Sequence, residues 1–151
     1  MTHTQTKKGF TLLELLVVIG IIGILAAIVI IAINPGRQFA QARNAQRWND
    51  VNAILNAVHQ YAVDNNGEVP AAITAVATNV GSGGGNIDIC GQLVGTEGTY
   101  LTEIPADPTT GSFTSCASYN SGYDISQNAT SGRVTVSAPD AELSTSITVS
   151  R

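Results

Sequence analysis

Glu14 is a carboxylate four residues beyond Phe10, inside an otherwise apolar run that extends to Ile33. An unpaired carboxylate at that depth in hydrocarbon costs on the order of 3 kcal/mol, and such residues tend to be paired and functional. The segment just before it can supply the partner. Lys7-Lys8-Gly9 ends in a small residue, and a cut after Gly9 would create a new α-amino group on Phe10. A helix does not easily bend its own terminus back to its fifth residue while also packing its side chains. The geometry therefore favours the amine of one subunit meeting Glu14 of the next, which neutralises both charges and sets an axial stagger. The simpler alternative is an uncleaved single-pass anchor in which Glu14 snorkels to the interface.

Other residues that could do chemistry are sparse. After Gly9 the only histidine is His59, beside the apolar stripe of a helix, where a solvated or packed side chain is expected rather than a base. No nucleophile–histidine–carboxylate set can be assembled, so the sequence predicts no enzyme. Asp107 with Asp124 could hold calcium, but no dense acidic loop surrounds them, and neither a metal nor a cofactor is expected. Ser82-Gly83-Gly84-Gly85 is a flexible loop and not a phosphate cradle, since no Gly-Lys-Ser/Thr follows. Asn128-Ala129-Thr130 fits a glycosylation sequon, a three-residue match of little weight. Cys90 and Cys116 enclose 25 residues. In a small exported domain such a pair implies one disulfide, contributing about 3 kcal/mol through loop closure; in a cytosolic protein it would be two free buried thiols.

Position matters more than total charge. The chain carries a formal −4, but both lysines precede Gly9, and beyond it five arginines face all eleven acids for a net −6. That balance excludes a general attraction for nucleic acid or anionic lipid. The stretch from Phe10 to Ile33 contains 24 residues with one charge; as a helix it would span roughly 36 Å, enough to cross a hydrocarbon core of about 30 Å. The short basic segment before it resembles the n-region of an export signal. Gly20, Gly23 and Ala27 share one helix face and allow close helix–helix approach. Asn34-Pro35-Gly36 predicts a kink, after which Trp48, Val51, Leu55, Val58 and Ala62 form an amphipathic stripe opposite Arg43, Arg47, Asp50 and Asn56. The spacing predicts one kinked helix from Phe10 to about Asn66, capped near Gly67. Order is weak from Gly67 to Gly98, and Tyr100 to Pro105 is expected to be an edge segment. The pairs Tyr123/Ile125, Val134/Val136 and Ile147/Val149 alternate as strands, with Asn128 to Gly132 turning between the first two. The expected fold class is α+β: a long kinked amino-terminal helix whose amphipathic second half packs on a small antiparallel sheet. The divisions are a leader (1–9), a hydrophobic helix (10–33), its amphipathic continuation (34–66) and a head (67–151).

Lys7-Lys8-Gly9-Phe10-Thr11-Leu12-Leu13-Glu14-Leu15 resembles the class III signal of type IV prepilins and of the pseudopilins of type II secretion. The resemblance covers about Lys7 to Ile33. It implies that a prepilin peptidase cuts between Gly9 and Phe10 and methylates Phe10, that Glu14 docks the next subunit, and that the helix can melt in a filament between Gly20, Gly23 and Pro35. It implies a pilin fold and a homopolymer built by an assembly platform and ATPase. The subunit would be held first in the cytoplasmic membrane and then displayed as an extracellular filament for adhesion, motility or uptake. The main expectation is a structural subunit of a type IV pilus, because a disulfide is present and an acidic calcium loop is not. The alternative is the major pseudopilin of a type II secretion system. A DNA-uptake pilin is disfavoured by the net −6, and a membrane-anchored enzyme by the missing catalytic residues. The Cys90–Cys116 loop departs from the family's commoner pattern, in which the disulfide pins a segment near the C-terminus.

Overall fold

The computed structural model describes residues 9–95 and 99–151. Lys7, Lys8 and the other residues before Gly9, expected to form the leader, lie outside the described residues. The chain divides into two units, 1–38 and 39–151.

The first unit is dominated by α1, Leu12–Ile33, whose residues are all exposed within the chain. It is long and apolar enough to cross a membrane. It begins two residues later than expected because Thr11 serves as N-cap: its hydroxyl accepts from the Glu14 amide, and Glu14 reaches back to the Thr11 amide. Thr11-Leu12-Leu13-Glu14 is a capping box, in which two orphan donors of the first turn are satisfied reciprocally. The helix runs unbroken through Gly20 and Gly23 and ends at Asn34, which adopts a left-handed conformation at φ 48°. Pro35 then opens α2, Pro35–Asp64, as proline's fixed φ and missing amide suit a first helical position. The expected single kinked helix is thus two helices separated by one left-handed residue.

In the second unit, α2 covers a five-stranded antiparallel sheet. The strands are β1 (Thr78–Gly81), β2 (Ser112–Ser115), β3 (Ser118–Gln127), β4 (Val134–Ala138) and β5 (Ile147–Ser150), in the order β1-β3-β4-β5, with β2 also paired to β3. A short helix α3, Cys90–Leu93, lies between β1 and β2. The predicted alternation is present: Tyr123 and Ile125 of β3, Val134 and Val136 of β4 and Ile147 of β5 are buried with Val51, Ile54, Leu55 and Val58 of α2 in one core. Asn128 to Gly132 forms the β3–β4 turn, its Asn128 side-chain oxygen accepting from the Thr130 and Ser131 amides. The helix ends as expected, with Gly67 at φ 92° donating its amide to the Ala62 carbonyl.

Three expectations need correction. Tyr100 to Pro105 forms no strand, whereas Thr78–Gly81 and Ser112–Ser115 do. Trp48 is 40% exposed and lies outside the core. Arg47, expected on the solvent side, is completely buried. The buried face of α2 begins with Ala40, Asn44 and Arg47 before turning apolar at Val51. Apolar periodicity therefore predicts the wrong neighbour: in the third and fourth turns of α2 the buried face is closed by a polar cluster.

Candidate functional site

Two groups of residues are built for more than packing, one in each unit. The first is the entry to α1. Gly9 and Phe10 precede the helix in non-helical backbone and are exposed, Phe10 at 85%. Glu14 is four residues further on. Its Oε2 accepts from the Thr11 amide and the Thr11 hydroxyl, each at 2.8 Å. Its Oε1 has no partner among the described residues, so the cap occupies one carboxylate oxygen and leaves the other open. A Cβ added at Gly20 or Gly23 would meet nothing within 4 Å, so the face carrying them is clear for another helix. A threonine three residues before a glutamate is the sequence signal for this cap.

The second group is the polar clamp beneath α2. Arg47 donates from Nε to Asp107 Oδ2 at 2.6 Å and from Nη2 to Oδ1 at 3.2 Å, and both side chains are fully buried. Nη1 donates to Asn44 Oδ1 and to Glu142 Oε2, and Nη2 also to the Thr109 hydroxyl. Arg43 grips both oxygens of Glu142 at 2.7 and 2.6 Å. Asn44 completes the set: it donates to the Glu142 carbonyl at 2.8 Å and accepts from the Glu142 amide at 2.9 Å. Three side chains on two turns of α2 thus hold the 105–111 and 139–146 segments against the helix.

Local sequence shapes both segments. Asp107 Oδ1 accepts from the Thr109 and Thr110 amides, a tight Asx turn, and the Asp107 amide donates to the Ser121 carbonyl. Gly111 is required there, because a Cβ would overlap the Asp107 amide nitrogen and lie 2.6 Å from the Ser121 carbonyl oxygen. Gly122, at φ +74°, makes room for the Asp107 side chain. The clamp also sets the charge states. Burial opposes ionisation of Asp107, yet the Arg47 guanidinium and the Thr109 and Thr110 donors hold its carboxyl well below the usual range. Glu142 is brought down to about 2 by its bonds from Arg43 and then Arg47. Arg47 is pushed higher still, chiefly by Asp107.

The remaining predicted residues do not converge on a reaction centre. Cys90 and Cys116 form a disulfide with Cα atoms 5.3 Å apart, tying the start of α3 to the turn between β2 and β3. Asp107 is consumed by the clamp, while Asp124 lies near Asp140 on the sheet, and burial raises its pKa. No group of three or more potential metal ligands occurs among the described residues. His59 is half-buried on α2. Sequence reasoning misses the clamp, since nothing local marks an arginine for burial when its partner is 60 residues away.

Comparison with known proteins bears on the first group. The family described as "Prokaryotic N-terminal methylation motif" matches residues 4–33. The chain is 40% identical over 65 residues to "Type II secretion system core protein G" of Escherichia coli (strain K12), covering 43% of each. It is 42% identical over 62 residues to the protein of that name from Aeromonas hydrophila, covering 41% of this chain and 42% of the relative. The chain therefore spans about two fifths of the length of the curated relatives it matches. No solved structure matches.

Proposed function

We propose that this chain, a member of the type IV pilin and type II secretion pseudopilin family by its amino-terminal signature, is a non-enzymatic structural subunit that polymerises into a type II secretion pseudopilus. The observation that carries this reading is α1: twenty-two residues, none buried within the chain, with one carboxylate at its entry. Such a surface needs a lipid or protein partner, and both relatives are named for type II secretion.

Processing would proceed by cleavage of the exposed Gly9–Phe10 bond by a prepilin peptidase and methylation of the new Phe10 amine. The arrangement at Glu14 suits subunit docking. Oε2 keeps the helix cap on Thr11 while the open Oε1 accepts the Phe10 ammonium of a neighbouring subunit. Docking then costs no cap, and charge neutralisation lets the helix end enter the apolar centre of a polymer. The subunit would wait in the cytoplasmic membrane and be drawn out by an assembly platform and its ATPase.

A type IV pilus subunit is the second reading. It is favoured by the Cys90–Cys116 disulfide, which equips the head for an oxidising exterior. Intact mass of the membrane-extracted protein tests what both readings share: loss of residues 1–9, one added methyl and two fewer hydrogens for the disulfide. A full-length mass would leave only an anchored head. Deleting the gene then separates the two readings. The pseudopilus predicts loss of exported enzymes from the medium, whereas the pilus predicts loss of long sheared filaments with secretion intact.

A further inference from the structure

Asp50 lies one turn beyond Arg47 on α2 but takes no part in the clamp. Its Oδ2 accepts the Tyr123 hydroxyl at 2.7 Å, and Oδ1 has no donor among the described residues. No cation among the described residues pairs with it, because the nearby Arg47 and Arg43 are committed to Asp107 and Glu142. Asp50 is half-buried, and burial raises its pKa, with the negative Asp107 adding to the effect. Asp50 thus presents a partly buried carboxylate with one neutral donor and no counter-charge among the described residues.

The space it faces is a cleft of about 570 Å³ between α2 and the 101–106 and 111–113 segments. Gln46 and Asp50 of α2, Glu103 and Phe113 are among the residues that line it. Two carboxylates, an amide oxygen and a ring suit a guanidinium, which can be bonded in its plane and stacked on its face. Beyond Gly9 the chain has no lysine, so its own cations are arginines. Arg43 and Arg47 are paired and Arg151 donates to Asn56. Arg37 and Arg133 are exposed, and their guanidinium groups have no hydrogen-bond or ion-pair partner among the described residues.

We propose that the Asp50 cleft receives the Arg37 or Arg133 guanidinium of a second copy of this chain, making a head contact of the polymer. The assignment rests on the polymer reading above. It commits to a second copy because the unpaired acid and the unpaired arginines are complementary, and because the net −6 of each processed chain opposes association unless acids are met by cations.

Asp50→Asn is the informative variant. The asparagine oxygen still accepts the Tyr123 hydroxyl, so only the charge is lost. In detergent the purified full chain should melt at or above the wild-type temperature, while assembled polymer in the sheared fraction falls by about tenfold, the scale of a lost close charge pair. Arg37→Gln and Arg133→Gln leave the Asp50–Tyr123 bond in place, and the one whose guanidinium occupies the cleft should reproduce the assembly defect. Wild-type polymer yield from Asp50→Asn would overturn the assignment, as would a lower melting temperature or a defect that neither arginine variant reproduces. Unchanged wild-type polymer in the same preparations would show that the cleft assignment has failed and the polymer reading has not.

Discussion

Two stretches of helix that are consecutive in the chain meet solvent in opposite ways. α1 buries none of its 22 residues within the chain, although nearly all are apolar. α2 is polar along much of its length, yet it buries Val51, Ile54, Leu55 and Val58 and, one turn before them, a full arginine. The difference shows that hydrophobicity and burial are separate quantities. The apolar helix is left for partners outside the chain, whereas the polar one is committed to the chain's own core. The head should therefore fold by its own rules, and changes in α1 should register in the membrane or the polymer and not in head stability.

That separation can be attacked from the head side first. Arg47→Met strands the buried Asp107 carboxylate and should destabilise the head by about 3–5 kcal/mol in urea titrations of the detergent-solubilised chain. Adding Asp107→Leu should recover much of the loss, since an apolar pair can replace a buried ion pair. A small effect from Arg47→Met alone would mean that the clamp is solvated. Cys90→Ser comes next, with about 3 kcal/mol lost through the longer open loop and cleavage after Gly9 unaffected, as read by mass.

Acid should loosen the same clamp. Asp107 and Glu142 have folded pKa values below their unfolded ones, so the unfolded state binds more protons as pH falls. Their contribution is present in full above about pH 5 and is lost between roughly pH 4 and 2. The melting temperature should fall over that window, and the Arg47→Met/Asp107→Leu double variant should lose much of the slope. The smallest expected effect on the head is the most telling for the comparison: Glu14→Leu should leave its urea midpoint unchanged and the protein in the membrane, yet block polymer formation. Normal polymer from that variant would sink the docking role of Glu14.

Legibility in the sequence tracks the range of the interactions. α1 can be read directly because a continuous apolar run has few competing explanations, and the β3 to β5 alternation because one face of each strand enters the core. The capping box at Thr11 and Glu14 is equally local, but a docking role for Glu14 draws attention away from its bond to its own helix. Arg47 cannot be read this way. Its burial depends on Asp107, Glu142 and Asn44 converging, and in a count of apolar spacing the adjacent Trp48 takes its place. β1 and β2 carry Thr-Asn-Val-Gly and Ser-Phe-Thr-Ser, sequences that become strands because β3 offers ten residues of edge.

The clamp also has a mechanical consequence. In a polymer whose subunits are held by their amino-terminal helices, a tug on the fibre enters each head along α2. The 105–111 and 139–146 segments are fastened to that strut by Arg43, Asn44 and Arg47 through several bonds on two adjacent turns. In the proposed polymer, load reaching the sheet by this route would be divided among these fasteners, and the head would resist tension through several bonds at once.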